Sequence, residues 1–444
     1  MNRSQIGHEY LNKSRPWNGR GDFSLREILA VMRRLNNPQD AIPMVHIAGT
    51  NGKGSVSAAI ASILAQSGYR VGMNISPHLE KINERIVIDG LSCSDEFIGE
   101  FAYEVKQAAH KEQVDLSFHE AITAVAFLGL REVGVEGGVM EVGLGGRLDA
   151  SNVISRPAVT AIVTISFDHQ HILGDSLGEI AAEKAGIVKP GSPLVTGLLP
   201  PEADKVISNH AKNVPHYKFG RDYDVRVLNS SSRDRFEYWG KDFIPGKNLS
   251  FEFESILPGR HQGHNLSVAA TMGLLVGCSL DACKRGLEEV FWPGRLEIIP
   301  HKTGELVLDC AHNTAGIDTF ISFLKARSAR NIDLTFGVLD TKNWQEMVAM
   351  LRPYVGTWRL ITPESERALP LDILKNEILI SGTGISVECY GDDYERCLRD
   401  VFAAAEQGVA YVTGSMYMVG RLRNMLSLPE RPLWKTGKRA NSVL

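Results

Sequence analysis

The chain has 444 residues, 43% hydrophobic and 23% charged, with a formal net charge of -4. That length asks for two or three domains with full cores, and the slightly negative balance argues against a dedicated binder of nucleic acid or membrane surfaces. No apolar run approaches the roughly 20 residues that span a bilayer, the N-terminus lacks the apolar stretch of a signal peptide, and the six cysteines form no C-x2-C pair, so a reduced, cytoplasmic setting is expected.

Apolar strands alternate with amphipathic helices, which predicts an α/β chain with a mainly parallel sheet. The first strand, 44–48, runs into Gly49-Thr50-Asn51-Gly52-Lys53-Gly54-Ser55, and a helix over 55–67 follows. Strand, glycine-rich loop and helix start in that order make a phosphate cradle. Glycines let backbone N–H groups crowd an anion, and the helix N-terminus adds partial positive charge. Lys53 neutralises phosphate oxygens and Ser55 offers a hydroxyl to Mg²⁺. The spacing differs from the ordinary G-x4-G-K-S/T loop, because Gly54 separates the lysine from the serine. A glycine turn with an exposed lysine is the plainer alternative, and the strand–loop–helix context argues against it.

A strand at 71–75 ends at Ser76-Pro77-His78-Leu79, which alone reads as a Ser-Pro turn. Helices over 95–111 and 119–133 precede a strand at 137–142. Glu141 ends that strand, ahead of Gly143-Leu144-Gly145-Gly146-Arg147-Leu148-Asp149. A carboxylate at the carboxyl end of a parallel strand sits where such sheets bind ligands and could hold Mg²⁺ on phosphates; the alternative is an acid capping the glycine-rich turn. The strand 158–166 is expected to end at Asp168-His169, where His169 serves either a metal or a loop carbonyl. A helix over 176–188 starts with a Ser176/Glu179 capping box and carries Lys184, which by itself reads as part of a solvated face. A strand follows at 193–197.

Residues 220–256 suggest a β excursion, and 260–290 return to helix. Trp292-Pro293-Gly294-Arg295 is strong punctuation and marks the inter-domain join. A second alternation follows: strands 305–309, 332–338, 357–361 and 408–413, with helices 315–327, 343–352 and 392–405. Asp309-Cys310-Ala311-His312-Asn313 ends one of those strands, suited to ribose, phosphate or substrate contacts, or to a plain strand-to-helix turn capped by Asn313 or Thr314. The tail from about Pro429 is expected to fray. The expectation is thus a P-loop-type, mainly parallel sheet domain over 1–296 and a smaller Rossmann-like α/β domain over 297–444.

Taken in order, GTNGKGS at 49–55, SPHL at 76–79 with Glu84-Arg85-Ile86, EVGLGGRLDASN at 141–152, DH at 168–169, EKAGI at 183–187, HQGHN at 261–265, WPGRLE at 292–297, DCAHN at 309–313 and TGSMYMVG at 413–420 resemble the folylpolyglutamate synthase and dihydrofolate synthase branch of the Mur ligase superfamily. The likeness runs from about Tyr10 to Arg423. It implies an ATP-dependent ligase: a carboxylate is phosphorylated to an acyl phosphate, and the amine of L-glutamate attacks it to give an amide.

By the same resemblance, Asn51, Gly52, Lys53, Gly54 and Ser55 bind the ATP phosphates, and Asn265, Arg295 and Asp309 contact the nucleotide. Ser76 and Glu141 hold one Mg²⁺ and His169 a second. Lys184 matches a lysine that the family carbamylates with CO₂. His312 faces the reaction centre, and Phe118, Glu120 and Arg147 lie on the acceptor side. The expected partners are ATP, L-glutamate and a pterin carboxylate, with no nucleic acid and no membrane, and relatives of this kind are commonly monomeric. The reaction suits two domains that close over an easily hydrolysed intermediate.

Three segments depart from the family pattern: Asp22-Phe23-Ser24-Leu25-Arg26-Glu27 in place of a leucine-glycine-leucine run with arginine, His119 in Phe118-His119-Glu120, and Thr341-Lys342-Asn343 in place of Asp-Lys-Asp. The altered acceptor side keeps a second reading open, the same ligation on a non-folate carboxylate. A degenerate nucleotide-binding protein would have lost Lys53, Glu141, His169 or Lys184, and all four are present. A simple kinase leaves the second domain unexplained.

Overall fold

The computed structural model describes residues 2–15, 24–230, 234–244, 247–380 and 385–437. Asp22 and Phe23, part of the altered 22–27 segment, lie outside these. The chain divides into two compact units. One holds Met1–Ile256, Gln262–Phe291 and Arg431–Leu444, and the other Leu257–His261 and Trp292–Glu430.

The first unit is built on a sheet in the order 91–92, 86–88, 71–74, 137–141, 44–48, 159–162, 194–196, 216–218. The six strands from 71–74 to 216–218 run parallel, and the 86–92 hairpin closes one edge antiparallel. Strand Met44–Ala48 is central and buried along its whole length, which is why its sequence is a continuous apolar run rather than an alternation. Helix Lys53–Gln66 is buried from Gly54 to Ala65, as expected of a helix apolar on every side. The Ser176/Glu179 capping box is present at the start of helix Leu177–Ala185. The β excursion is a three-stranded antiparallel sheet of Tyr223–Ser230, Asp234–Ile244 and Lys247–Ser255.

The tail does not fray where the sequence suggests. Trp434 is fully buried, Leu433 N–H donates to Gly90 O at 2.8 Å and Phe291 N–H to Leu433 O at 2.7 Å. One tryptophan in a polar stretch carries no periodicity, so its burial was not readable. The chain beyond residue 437 lies outside the described residues.

The second unit holds a sheet in the order 297–301, 304–308, 409–413, 332–336, 355–361, 386–391, parallel except for the first hairpin. Helices Thr314–Ala326, Trp344–Leu351, Leu371–Leu379 and Tyr394–Glu406 connect its strands. This is the Rossmann-like alternation expected.

Candidate active site

Strands 71–74, 137–141, 44–48 and 159–162 are neighbours and parallel. Their carboxyl ends therefore bring Ser76, Glu141, the 49–55 loop and the 163–169 segment to one edge of the sheet, where open α/β folds bind ligands. Within the loop, Gly52 has φ 81 and caps the helix. A Cβ there would lie 2.5 Å from Asn265 Oδ1, so both backbone and space demand glycine. Asn265 is itself held, its Nδ2 donating to Gln262 Oε1 at 3.0 Å.

The opposite wall is the 163–166 segment. Thr50 N–H donates to Thr164 O at 2.8 Å, Asn51 N–H to Thr164 Oγ1 at 3.0 Å, and Thr50 Oγ1 to Ser166 O at 3.2 Å. The first-turn amides of helix Lys53–Gln66 have no intrahelical acceptor and point out of the helix start, an anion site by construction. The strand before His169 is shorter than expected, Val159–Ile162, because 163–166 turns to bond the loop. His169 then sits at φ 51 as the cap of the short helix Gln170–Leu173.

Two lysines converge here. Lys53 Nζ donates to Gly49 O at 3.2 Å and Thr50 O at 3.3 Å. Lys184 Nζ donates to Gly49 O at 3.0 Å and is 4% exposed. The solvated-face reading of Lys184 is therefore wrong. Its helix is docked by the turn 143–152: Arg147 N–H donates to Glu183 O at 2.8 Å, and Asn152 Nδ2 to Arg147 O and Gly186 O at 2.9 and 3.1 Å. Burial, reinforced by the Lys53 charge and opposed by Asp168 and Asp149, pushes the Lys184 amine down to about 7.

Glu141 is 5% exposed, and the buried Ser76 hydroxyl has no protein partner. His169 lies 3.7 Å from Asp168 through Nε2 and Oδ1. Among the described residues no three His, Cys, Asp or Glu side chains cluster as a metal cage. Glu84, to which no role attached beyond its place in the 84–86 match, organises the loop after Ser76 by accepting from the Leu79, Glu80 and Lys81 amides at 2.6, 2.9 and 2.8 Å. A glutamate five residues beyond a Ser-Pro turn was the available signal.

The three residues expected on the acceptor side part company. The Phe118 ring is half-buried under the Arg85 guanidinium, 5.1 Å from its centroid, and Arg85 Nε donates to His78 Nδ1 at 2.9 Å. Glu120 caps its own helix, accepting from Ser117 N–H and Oγ at 2.9 and 2.7 Å. Arg147 pairs with Glu183 at 3.0 and 2.8 Å on the surface.

In the second unit, Asp309 accepts from Leu296 N–H at 3.0 Å and Ala311 N–H at 3.1 Å. Burial raises its carboxyl, with Arg295 and those two amides opposing. Asp309 thus ties the Arg295 turn to the 309–313 turn. His312 Nδ1 lies 2.9 Å from Cys310 O, and Asn313 caps helix Thr314–Ala326. Glu297 and Arg423 form a buried two-pronged ion pair at 2.7 and 3.0 Å that braces the same turn.

Residues 47–273 match the Mur ligase middle domain, a class of ATP-dependent ligases. The chain is 33% identical to the dihydrofolate synthase/folylpolyglutamate synthase of Bacillus subtilis, over 93% of this chain and 98% of that one. It is 31% identical to the folylpolyglutamate synthase of Lacticaseibacillus casei, over 90% and 94%. A solved complex of a folylpolyglutamate synthase with AMPPCP and folate superposes with a TM-score of 0.81 at 29% identity, covering 96% of this chain and 100% of that one. The chain belongs to the folylpolyglutamate synthase/dihydrofolate synthase family, and its activity is ATP-dependent ligation of L-glutamate to a folate-type carboxylate.

Proposed function

We propose that ligation runs through an acyl phosphate, with the site residues in these roles. The amides of Gly52 to Ser55, the Asn51 side chain and the Lys53 amine hold the transferred phosphate oxygens and offset the repulsion between that phosphoryl group and the attacking carboxylate. Ser76 and Glu141 hold one Mg²⁺, and His169 with carbamylated Lys184 a second. An unpartnered buried hydroxyl and a buried carboxylate at the ends of neighbouring strands support the first site, since Mg²⁺ takes one or two protein oxygens and fills the rest of its shell with phosphate and water. The metal supplies charge neutralisation on the phosphates when bound. Asn265, Arg295 and Asp309 are assigned to the nucleotide, His312 to the reacting carboxyl, and Phe118, Glu120 and Arg147 to the acceptor side.

The observation that carries the reading is the buried Lys184 amine on the phosphate loop. An amine held near 7 is substantially neutral at physiological pH. The neutral nitrogen attacks CO₂, an N–C bond forms, one proton leaves, and a carbamate anion replaces a cation. That converts an electrostatic conflict with Lys53 into an oxygen ligand. Six free cysteines, five of them buried, support a reducing, cytoplasmic compartment. We take the working form to be a monomer.

The test is ADP release by purified protein with ATP and Mg²⁺, supplied with dihydropteroate, tetrahydrofolate or unrelated carboxylates, with and without L-glutamate. Glutamate-dependent release with a pterin acceptor is expected. Release with an unrelated carboxylate and none with any pterin would move the acceptor out of the folate class.

A further inference from the structure

The Asp149 carboxylate joins more groups than any motif suggests. Its Oδ2 accepts from Gly143 N–H and Leu144 N–H, each at 3.0 Å, and from His119 Nε2 at 3.1 Å. Its Oδ1 accepts from Ser151 N–H at 3.0 Å and Ser151 Oγ at 2.5 Å. Ser151 Oγ in turn lies 2.8 Å from His46 Nε2 on the central strand. The Asp149 side chain is 2% exposed. Burial pushes its carboxyl up, but the His119 ring and the Ser151 and Leu144 donors overturn this and hold it well below the usual range. A carboxylate only accepts, so His119 presents Nε2–H to it.

Among the described residues, His119 is the direct partner from outside the 143–151 turn. It stands in the first turn of helix Phe118–Glu132. Its ring also fills the space over Gly143, where a Cβ would meet Cε1 at 2.6 Å and Nε2 at 2.7 Å. Gly143 is two residues beyond Glu141.

We infer that His119 is a positioning residue for the ligase reaction: through Asp149 it pins the Gly143–Leu144 turn to helix Phe118–Glu132 and so fixes the Glu141 carboxylate at the end of its strand. The inference rests on the reading of Glu141 as a metal ligand. It explains what the chain gains from a histidine at this position: an apolar ring could pack over Gly143 but would donate nothing to Asp149. A hydrogen bond to a charged acceptor is the stronger kind, and losing one loosens the turn without removing the site.

Full-length His119→Phe, His119→Gln and Glu141→Gln variants test this with two readouts. The first is hydrogen exchange at the Gly143 and Leu144 amides in the free protein. The second separates the half-activating Mg²⁺ concentration and kcat from the acceptor KM. For His119→Phe the expectation is faster exchange at both amides, a roughly ten-fold rise in the Mg²⁺ requirement, lower kcat, and an acceptor KM within about two-fold of the parent. His119→Gln, whose amide reaches Asp149, restores both readouts. Should His119→Phe fail to fold, His119→Asn, too short to reach Asp149, takes its place. Unchanged exchange in His119→Phe, or a raised acceptor KM with normal Mg²⁺ dependence, overturns the inference. A Glu141→Gln enzyme with the parent's Mg²⁺ dependence would instead remove the metal reading of Glu141, and amide exchange would still decide whether His119 holds the turn.

Discussion

The side-chain amines of Lys53 and Lys184 donate to one carbonyl, that of Gly49, at 3.2 and 3.0 Å. The buried Lys184 amine is pushed down to about 7, by burial first and the Lys53 charge second.

Lys53→Ala removes the amine proposed to offset phosphate charge. The helix start and the loop's bonds to Thr164 do not depend on the side chain, so the fold should persist by circular dichroism. The kcat for ADP release should fall by about 10²–10³-fold or more, the usual scale for losing one preorganised charge stabiliser. Near-normal turnover would remove Lys53 from the phosphate site.

The proposed carbamate on Lys184 should make turnover depend on dissolved CO₂. Enzyme stripped of CO₂ should lose activity and regain it on adding bicarbonate, faster as pH rises through about 7 and the neutral fraction grows. Lys184→Ala should be nearly inactive, with partial rescue by formate or acetate. For the unmodified amine the folded value lies below the usual 10.5, so between about 7 and 10.5 the unfolded chain binds a proton that the native state lacks. Stability of the CO₂-free protein should therefore rise with pH across that window, and Lys184→Met should flatten the rise. Mass spectrometry under CO₂ that shows an unmodified lysine in active enzyme would count against the carbamate.

His46 governs part of the acid response. It is fully buried, and desolvation lowers it from 6.5 to about 4. Between those values the unfolded chain takes up a proton that the native ring refuses, so stability should fall with decreasing pH by up to about 3 kcal/mol from this residue. His46→Gln should flatten the denaturation midpoint between pH 6.5 and 4. An unchanged slope would mean the ring is not held neutral.

Trp434 ties the chain's end to the first unit. It is fully buried, and the preceding Leu433 donates its N–H to Gly90 O. Trp434→Ala should cost about 3–5 kcal/mol, the scale of emptying a buried aromatic site, read as a lower urea midpoint. Truncation before Arg431 should do the same. Parent-like stability in both would make the tail dispensable.

Of the residues proposed for the acceptor side, Phe118 offers the aromatic ring. It is half-buried, with Arg85 stacked on it. Phe118→Ala should raise the KM for a pterin acceptor more than the KM for ATP, whereas Glu120→Gln should act mainly on stability through the lost helix cap. Steady-state kinetics with both substrates varied separates these outcomes.

Much of this was readable from the chain alone. Continuous apolar runs such as 44–48 identify doubly buried parallel strands, and Ser176/Glu179 and Asn313 mark helix starts by local hydrogen bonding. The glycine loop announces an anion site because strand end, glycines and helix start are adjacent in the chain, and the ordered motifs named the family. These features are local, and local physics is written in adjacent residues. What the tertiary structure alone decided is which distant groups meet: the Lys184 amine at Gly49, the Asp149 carboxylate between His119 and the Gly143 turn, Asp309 spent on two loop amides, and Trp434 folded back under the first unit. A lysine beside a glutamate looks the same in sequence on a wet face or against a phosphate loop. Burial, which sets whether that amine is a cation or a nucleophile, exists only once the sheet has brought four strand ends to one edge.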